Sequence, residues 1–517
     1  MIRKGSTRLS PRALKQIHGN LVVSGIDSHG LQPLRDLLLS CIASFRGSMD
    51  YARRLFDGIP SPDLFMHNAM VRGYTHASAP RGAFDMYRRM EAVRLRPDGF
   101  TFCYLLRACC SGLPGSPRAG YQVHAVVVKL GFLVDVFVRN ALINMHAKCG
   151  DLGIAGVLLD EAGEQDVVAW SAVMAGHAAR GDLDMARHMF DKCRFKDMVC
   201  WNMMLGAYAK HGEMEKAREL FDRAPEKDVV SWNTIITGYT AQGSLEQALE
   251  VFDEMRGSGW RPDEATVVSL LSCCGNNGSL EVGRMIHSLH LEDRPPETIV
   301  TGNALVSMYA KCGDVKTAME VFNRMKERDV WTWNSIIGGL ALHGQAEKSV
   351  QFFDKMLRER IYPNEISFLC VLGACSHAGL VEDGQRYFSV MKDSYKIEPN
   401  VRHYSCTVDM LGRAGLLDEA FAIVSNMSCE PSTVVWRTLL GACKIHGNVA
   451  LGKLAQERIL SMNGDADGDY VLLSGIYASH SEWLGVETVR RSMDKRGLRK
   501  VAGCAQVDRK TASRSSP

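Results

Sequence analysis

VVAWSAVM (167–174), MVCWNMML (198–205) and VVSWNTII (229–236) set Trp170, Trp201 and Trp232 in step, 31 residues apart. Self-similarity at a period of this size marks a tandem array of supersecondary units, each burying its apolar face only against its neighbours. Function in such an array is to be sought along a surface rather than in a single cleft.

The unit from Val229 to Asp263 shows the local grammar. Val230, Trp232, Ile235, Ile236 and Tyr239 recur at helical spacing, Gly243 interrupts, and Leu245, Ala248, Leu249, Val251 and Phe252 continue a second amphipathic stretch. Gly259 and Pro262 close it, because glycine accepts a left-handed cap and proline cannot extend the backbone ladder. Each unit is therefore predicted to be two antiparallel helices and the fold an all-α α-solenoid, expected to be right-handed. The same grammar divides residues 33–432 into twelve units beginning at Pro33, Leu64, Gly99, Val136, Val167, Met198, Val229, Glu264, Ile299, Val330, Glu365 and Val401. Their lengths alternate between forms near 31 and forms near 35, the longer reading either WNxII or FxxLLxAC.

Composition narrows the function classes. With 46% hydrophobic and 23% charged residues the 517-residue chain is expected to fold rather than stay disordered. A net charge of +3 makes any nucleic-acid affinity a matter of local basic side chains. The sixteen cysteines show no Cys-x-x-Cys spacing, and steps such as Cys109–Cys110, Cys273–Cys274 and Ala374–Cys375 read as small core residues of a reducing compartment. No apolar run approaches the roughly 20 residues that span a bilayer, so no membrane partner is expected. Residues 1–26 lack Asp and Glu but carry Arg3, Lys4, Arg8, Arg12 and Lys15 with Ser6, Thr7 and Ser10, the bias of an organellar transit peptide.

GFTFCYLLRACC (99–110), EATVVSLLSCCG (264–275) and EISFLCVLGACS (365–376), interspersed with NALINMHAKCG (140–150) and NALVSMYAKCG (303–313), resemble the long and short units of plant pentatricopeptide repeat proteins of the PLS subfamily. HYSCTVDMLGRAGLLDEAF (403–421) resembles the last short repeat, and residues 433–466 and 467–500 resemble the two extension motifs of the E class. The division is then a basic, transit-peptide-like segment with a partial repeat (1–32), twelve repeats (33–432), two extension motifs (433–500) and a polar tail (501–517). The pattern departs from regularity at Gly99, whose unit carries two extra residues around LPGSP, and over 136–228, where three short units follow one another.

The resemblance implies that the fifth and last residues of a repeat read one base of single-stranded RNA. Transferred here, the pairs are Asn68 with Asp98, Asn140 with Asp166, Ser171 with Asp197, Asn202 with Asp228, Asn233 with Asp263, Asn303 with Asp329, and Asn334 with Asn364. The family's rule assigns uracil to Asn with Asp, guanine to Ser with Asp, and a pyrimidine to Asn with Asn. The implied target is U, unread, U, G, U, U, unread, U, pyrimidine, the unread slots facing Cys103 with Asp135 and Val268 with Thr298. The bland alternative makes both residues of a pair helix caps.

Trp170, Trp201, Trp232 and Trp333 read as packing residues rather than base platforms. Lys148, Lys210, Lys311 and Arg413 recur near the inter-helix turn and are candidate phosphate contacts. The zinc deaminase that ends some members of the subfamily needs His-x-Glu followed by Cys-x-x-Cys; His211–Glu213, His290–Glu292 and His480–Glu482 supply only the first part. No catalytic residue, metal or cofactor is expected, and catalysis would come from a separate deaminase-bearing partner docking on 433–500. The expected function is site recognition for C-to-U editing of a mitochondrial or, alternatively, chloroplast transcript. Splicing or stabilisation of the transcript, and a protein-binding scaffold, are the other readings.

Overall fold

The computed structural model describes residues 31–44, 49–110, 116–163, 166–293, 298–462 and 467–495, with the single positions 16 and 19. The polar tail lies outside them, as does nearly all of the transit-peptide-like segment. The described residues form 28 α-helices and no strand. They divide into two compact units at Arg261/Pro262, with seven helix pairs from Leu31 to Gly257 and seven from Glu264 to Lys495. Each unit is an α-solenoid in which a leading helix packs on the trailing helix of its own repeat and on the leading helices before and after it.

The start of each leading helix is written by one residue. Asp98, Asp166, Asp197, Asp228, Asp263 and Asp329 are extended or non-helical N-caps whose carboxylates accept the backbone N–H three residues on, satisfying an orphan donor of the first turn. Leading helices accordingly begin at Gly99, Val167, Met198, Val229, Glu264 and Val330. The first helix bounded within the described residues begins at Leu31, two residues before the Pro33 read from the sequence, because proline is well accommodated within a first helical turn. Between the two helices of most repeats the backbone turns through a left-handed glycine; Gly243 has φ +77° and Gly313 φ +87°. Gly259, at φ +81°, closes the trailing helix Leu245–Gly257 in the same way.

The two helices of a repeat bury different fractions of themselves. Trailing helix Met214–Arg223 buries Met214, Ala217, Leu220 and Phe221 on one stripe and gives its charges to water. Leading helix Val229–Ala241 buries Ser231, Trp232, Ile235, Ile236 and Gly238, packing on its trailing helix Leu245–Gly257 and on both helices of the preceding repeat. Gly238 is there for space: a Cβ on it would lie 2.6 Å from Met214 Sδ and 3.0 Å from Ala209 Cβ. Val230, which helical spacing alone placed with the core, is instead 56% exposed. The tryptophans pack: Trp232 and Trp333 are buried, and Trp201, Trp232 and Trp333 meet Phe190, Phe221 and Phe322 of the preceding trailing helices edge to face at 4.7–4.9 Å.

The cysteines of the described residues are all free. Cys109, Cys273, Cys274 and Cys375 are buried, and burial pushes the Cys375 thiol up to about 12, which keeps it a protonated packing residue. Among the described residues no helix is long and apolar enough to cross a membrane.

Candidate nucleic-acid interface

Asn68, Asn140, Asn202, Asn303 and Asn334 each stand one turn inside a leading helix, five residues past its cap, so none of them is itself a cap. Each reaches forward to the cap of the next leading helix. Asn68 Nδ2 donates to Asp98 Oδ1 at 2.9 Å, Asn140 Nδ2 to Asp166 Oδ1 at 3.1 Å, and Asn303 Nδ2 to Asp329 Oδ1 at 3.0 Å. Asn202 Nδ2 lies within reach of both Asp228 oxygens, at 3.1 and 3.2 Å, and Asn334 Nδ2 donates to Asn364 Oδ1 at 3.1 Å. The structure thus joins residues 26 to 30 positions apart in five of the pairs that the family resemblance implies. The cap reading holds for the second member of each pair only.

A third side chain completes most pairs. Thr101, Ser231, Thr332 and Ser367, each the third residue of the following leading helix, donate a hydroxyl to Oδ1 of Asn68, Asn202, Asn303 and Asn334 at 2.7, 2.7, 2.5 and 2.6 Å. Because an ionised carboxylate only accepts, the amide must turn its NH2 toward the cap and its oxygen toward the hydroxyl. An amide carries two N–H donors and two lone pairs, so one of each remains for a ligand. Burial pushes the Asp228 carboxyl up, but hydrogen bonds from the Ser231 backbone, the Ser231 hydroxyl and Asn202 together outweigh it and hold the group below its ordinary value. Asp329 is held down in the same way by Thr332 and Asn303.

Two pairs differ. Ser171 donates its hydroxyl back to the Val168 carbonyl at 2.9 Å, and Asp197 caps Cys200 N–H at 2.9 Å, so no hydrogen bond joins that pair. Asn233 belongs to the first compact unit and Asp263, capping Thr266 N–H at 3.0 Å, to the second.

Of the basic candidates, Lys148 and Lys210 are exposed in the last turn of their leading helices. Lys311 donates to Asn276 at 2.8 Å. Arg413 pairs with Asp409 at 2.9 Å, which offsets part of the charge it would bring to a phosphate. His211 caps the end of leading helix Met198–Lys210, its Nδ1 2.9 Å from the Ala207 carbonyl. Among the described residues no group of three or more His, Cys, Asp or Glu could hold a metal ion.

One set of residues escaped the sequence reading. The second residue of most leading helices is apolar and exposed, from 40% at Ile366 to 79% at Phe137, with Phe65, Phe100, Val168, Val199, Val230, Val300 and Trp331 between. On a helix of about 100° per residue the second and fifth positions lie roughly 60° apart, so each exposed side chain flanks the asparagine of its own helix, which is half-buried at Asn140, Asn202 and Asn303 and buried at Asn68 and Asn334. A helical wheel drawn from Asn202 and Asn233 finds them; apolar character alone assigns them to the core.

A family model for the PPR repeat family matches residues 62–111, 227–276 and 328–377, and one for the PPR repeat matches 168–198, 199–229, 300–330 and 366–395. The E motif model matches 446–508. A pentatricopeptide repeat-containing protein of Arabidopsis thaliana is 52% identical over 502 residues, spanning 96% of this chain and 91% of its own. A second from that plant is 42% identical, over 96% of this chain and 74% of its own, and a third, named as mitochondrial, is 37% identical, over 89% and 63%. Among solved structures, the pentatricopeptide repeat protein PPR10 in complex with an 18-nt psaJ RNA element superposes with a TM-score of 0.60 at 18% identity, covering 95% of this chain and 84% of that one. PPR10 from maize, in a second crystal structure, gives a TM-score of 0.53 at 19% identity, over 94% and 83%. Repeat signatures, an E motif and relatives matched along almost the entire sequence agree: the chain belongs to the pentatricopeptide repeat family, in the E class of its PLS subfamily.

Proposed function

We propose that this protein binds single-stranded RNA one nucleotide per repeat and serves as a site-recognition factor for C-to-U editing of an organellar transcript. The observation that carries the binding step is the recurrence of one arrangement. An amide tethered to a cap carboxylate or cap amide keeps one donor and one acceptor, beside an exposed apolar side chain. Uracil's edge presents a donor flanked by acceptors, which such an amide meets, and an apolar side chain on either side of a base shields its faces from water. The solved PPR10–RNA complex, of the same fold, supports the reading. Lys148 and Lys210 would add phosphate contacts.

The editing step rests on the E motif and on the resemblance to the E class. The extension helices 433–495 would dock a deaminase-bearing partner, and the mitochondrial designation of a relative supports an organelle, mitochondrion before chloroplast.

Gel-shift binding to RNA carrying U, any base, U, G, U, U, any base, U, pyrimidine tests the first step. Asn202→Ala with Asn233→Ala is expected to weaken binding by about 2 kcal/mol or more, each base contact being worth about 1 to 3. Unchanged affinity would return the chain to a protein-binding scaffold. Comparing the transcriptome of a null mutant tests the second step: loss of a discrete C-to-U event is expected, whereas retained introns or missing transcript ends would replace editing by splicing or stabilisation.

A further inference from the structure

Thr101, Ser231, Thr332 and Ser367 are completely buried, so their hydroxyls touch no ligand. Each nonetheless ends on the oxygen of a base-reading asparagine, 2.5–2.7 Å away. The hydroxyl has a single hydrogen and two acceptors in reach, and the amide oxygen is the nearer: Ser231 Oγ lies 2.7 Å from Asn202 Oδ1 and 2.8 Å from Asp228 Oδ1. The pair Asn140–Asp166 supplies the contrast within the same chain. Its third residue is Ala169, also completely buried, and Asn140 Oδ1 is a buried oxygen that no protein group reaches. Asp166 Oδ2 is left in the same condition.

We infer that the third-residue hydroxyl of the following repeat is a positioning residue for base discrimination: it ties the amide oxygen while the cap ties the amide nitrogen, so the free donor and acceptor keep a fixed order. This inference rests on the base-reading proposal above. Its physical basis is the symmetry of an amide. Uracil and cytosine present opposite donor and acceptor patterns at N3 and the C4 substituent, and an amide that can swing meets either, whereas one held at both ends meets one better. The Asn140 repeat, tied only through Asp166, then tolerates cytosine where the Asn202 and Asn303 repeats do not.

The test is the affinity of the full chain for the U-rich oligonucleotide with U or C at one slot at a time. In the unaltered protein the U-over-C ratio is expected to be smaller at the Asn140 slot than at the Asn202 slot. Ser231→Ala lowers the ratio at the Asn202 slot by about five- to tenfold, the effect of losing one hydrogen bond of about 1 kcal/mol, and leaves the Asn303 slot unchanged. Ser231→Thr, which keeps the hydroxyl as Thr101 and Thr332 do, retains the ratio. Ala169→Ser raises the ratio at the Asn140 slot and needs no destabilising deletion. An unaltered ratio in both Ser231→Ala and Ala169→Ser, with U preferred at the Asn202 slot in the parent, overturns the inference alone. Absence of any U preference in the parent overturns base reading and the inference with it.

Discussion

Asp228 acts twice, as the N-cap of leading helix Val229–Ala241 and as the anchor of Asn202, and both tasks need its charge. Burial disfavours that charge, yet the bonds from Ser231 and Asn202 hold the carboxyl below its ordinary value. A depressed carboxyl contributes stability that is complete above the unfolded pKa of about 3.9 and is lost as pH falls through the lower folded value. Asn202→Ala removes one of those bonds, so it is expected to destabilise the protein at about pH 7 and to cost less at an acid pH below the lowered folded value, where the carboxyl is protonated in both states. Denaturant melts at both pH values check this; an equal gap at both would deny Asp228 its charged role. By the same logic base preference is expected to stay level between about pH 6 and pH 8, well above the titration of Asp228 and Asp329, as affinities measured across that span would show.

Neighbouring leading helices approach each other through small residues, and this is where single substitutions act on elements. A Cβ on Gly339 would lie 2.3 Å from Ala310 Cβ, between helices that both belong to the second unit. Gly339→Ala is expected to cost about 1–3 kcal/mol by overpacking, visible as a lowered thermal midpoint, even though alanine favours the helix. In the extension region, Arg437 grips the buried Asp469 through Nε at 2.9 Å and Nη2 at 3.0 Å, tying helix Thr433–His446 to helix Asp467–Ser479. Asp469→Ala is expected to loosen the last helix pair by about 1–2 kcal/mol, discounted because Arg437 keeps access to water, and hydrogen exchange over 467–495 would report it. The helices themselves were legible in the sequence because Asp caps and left-handed glycines act locally: Val229 follows Asp228, and Gly243 turns the chain. The Asn–Asp pairs were legible only through the family resemblance laid onto the repeat register, since their partners stand 26 to 30 residues apart. Ser231 and Thr332 were not, because a hydroxyl at the third helical position reads as part of a capping box and nothing local reveals the asparagine above it. Val230 misled for a related reason, its apolar side chain being held out of the core.

Stacking identical helix pairs converts a local contact into a sequence of contacts, and the account's central claim is that the asparagines of successive repeats address successive nucleotides. Register then matters more than composition. One extra nucleotide between those facing Asn202 and Asn233 is expected to lower affinity by about tenfold or more, because the contacts on one side of it are lost together. The most direct measurement is selection of bound sequences from a pool of random RNA by the full chain. The expected result is an enriched motif of U, any base, U, G, U, U, any base, U, pyrimidine, with the sixth-to-eighth spacing retained and the fifth letter lost in Asn202→Ala. Enrichment of no sequence, or of one whose spacing ignores the repeats and survives Asn202→Ala, would contradict it.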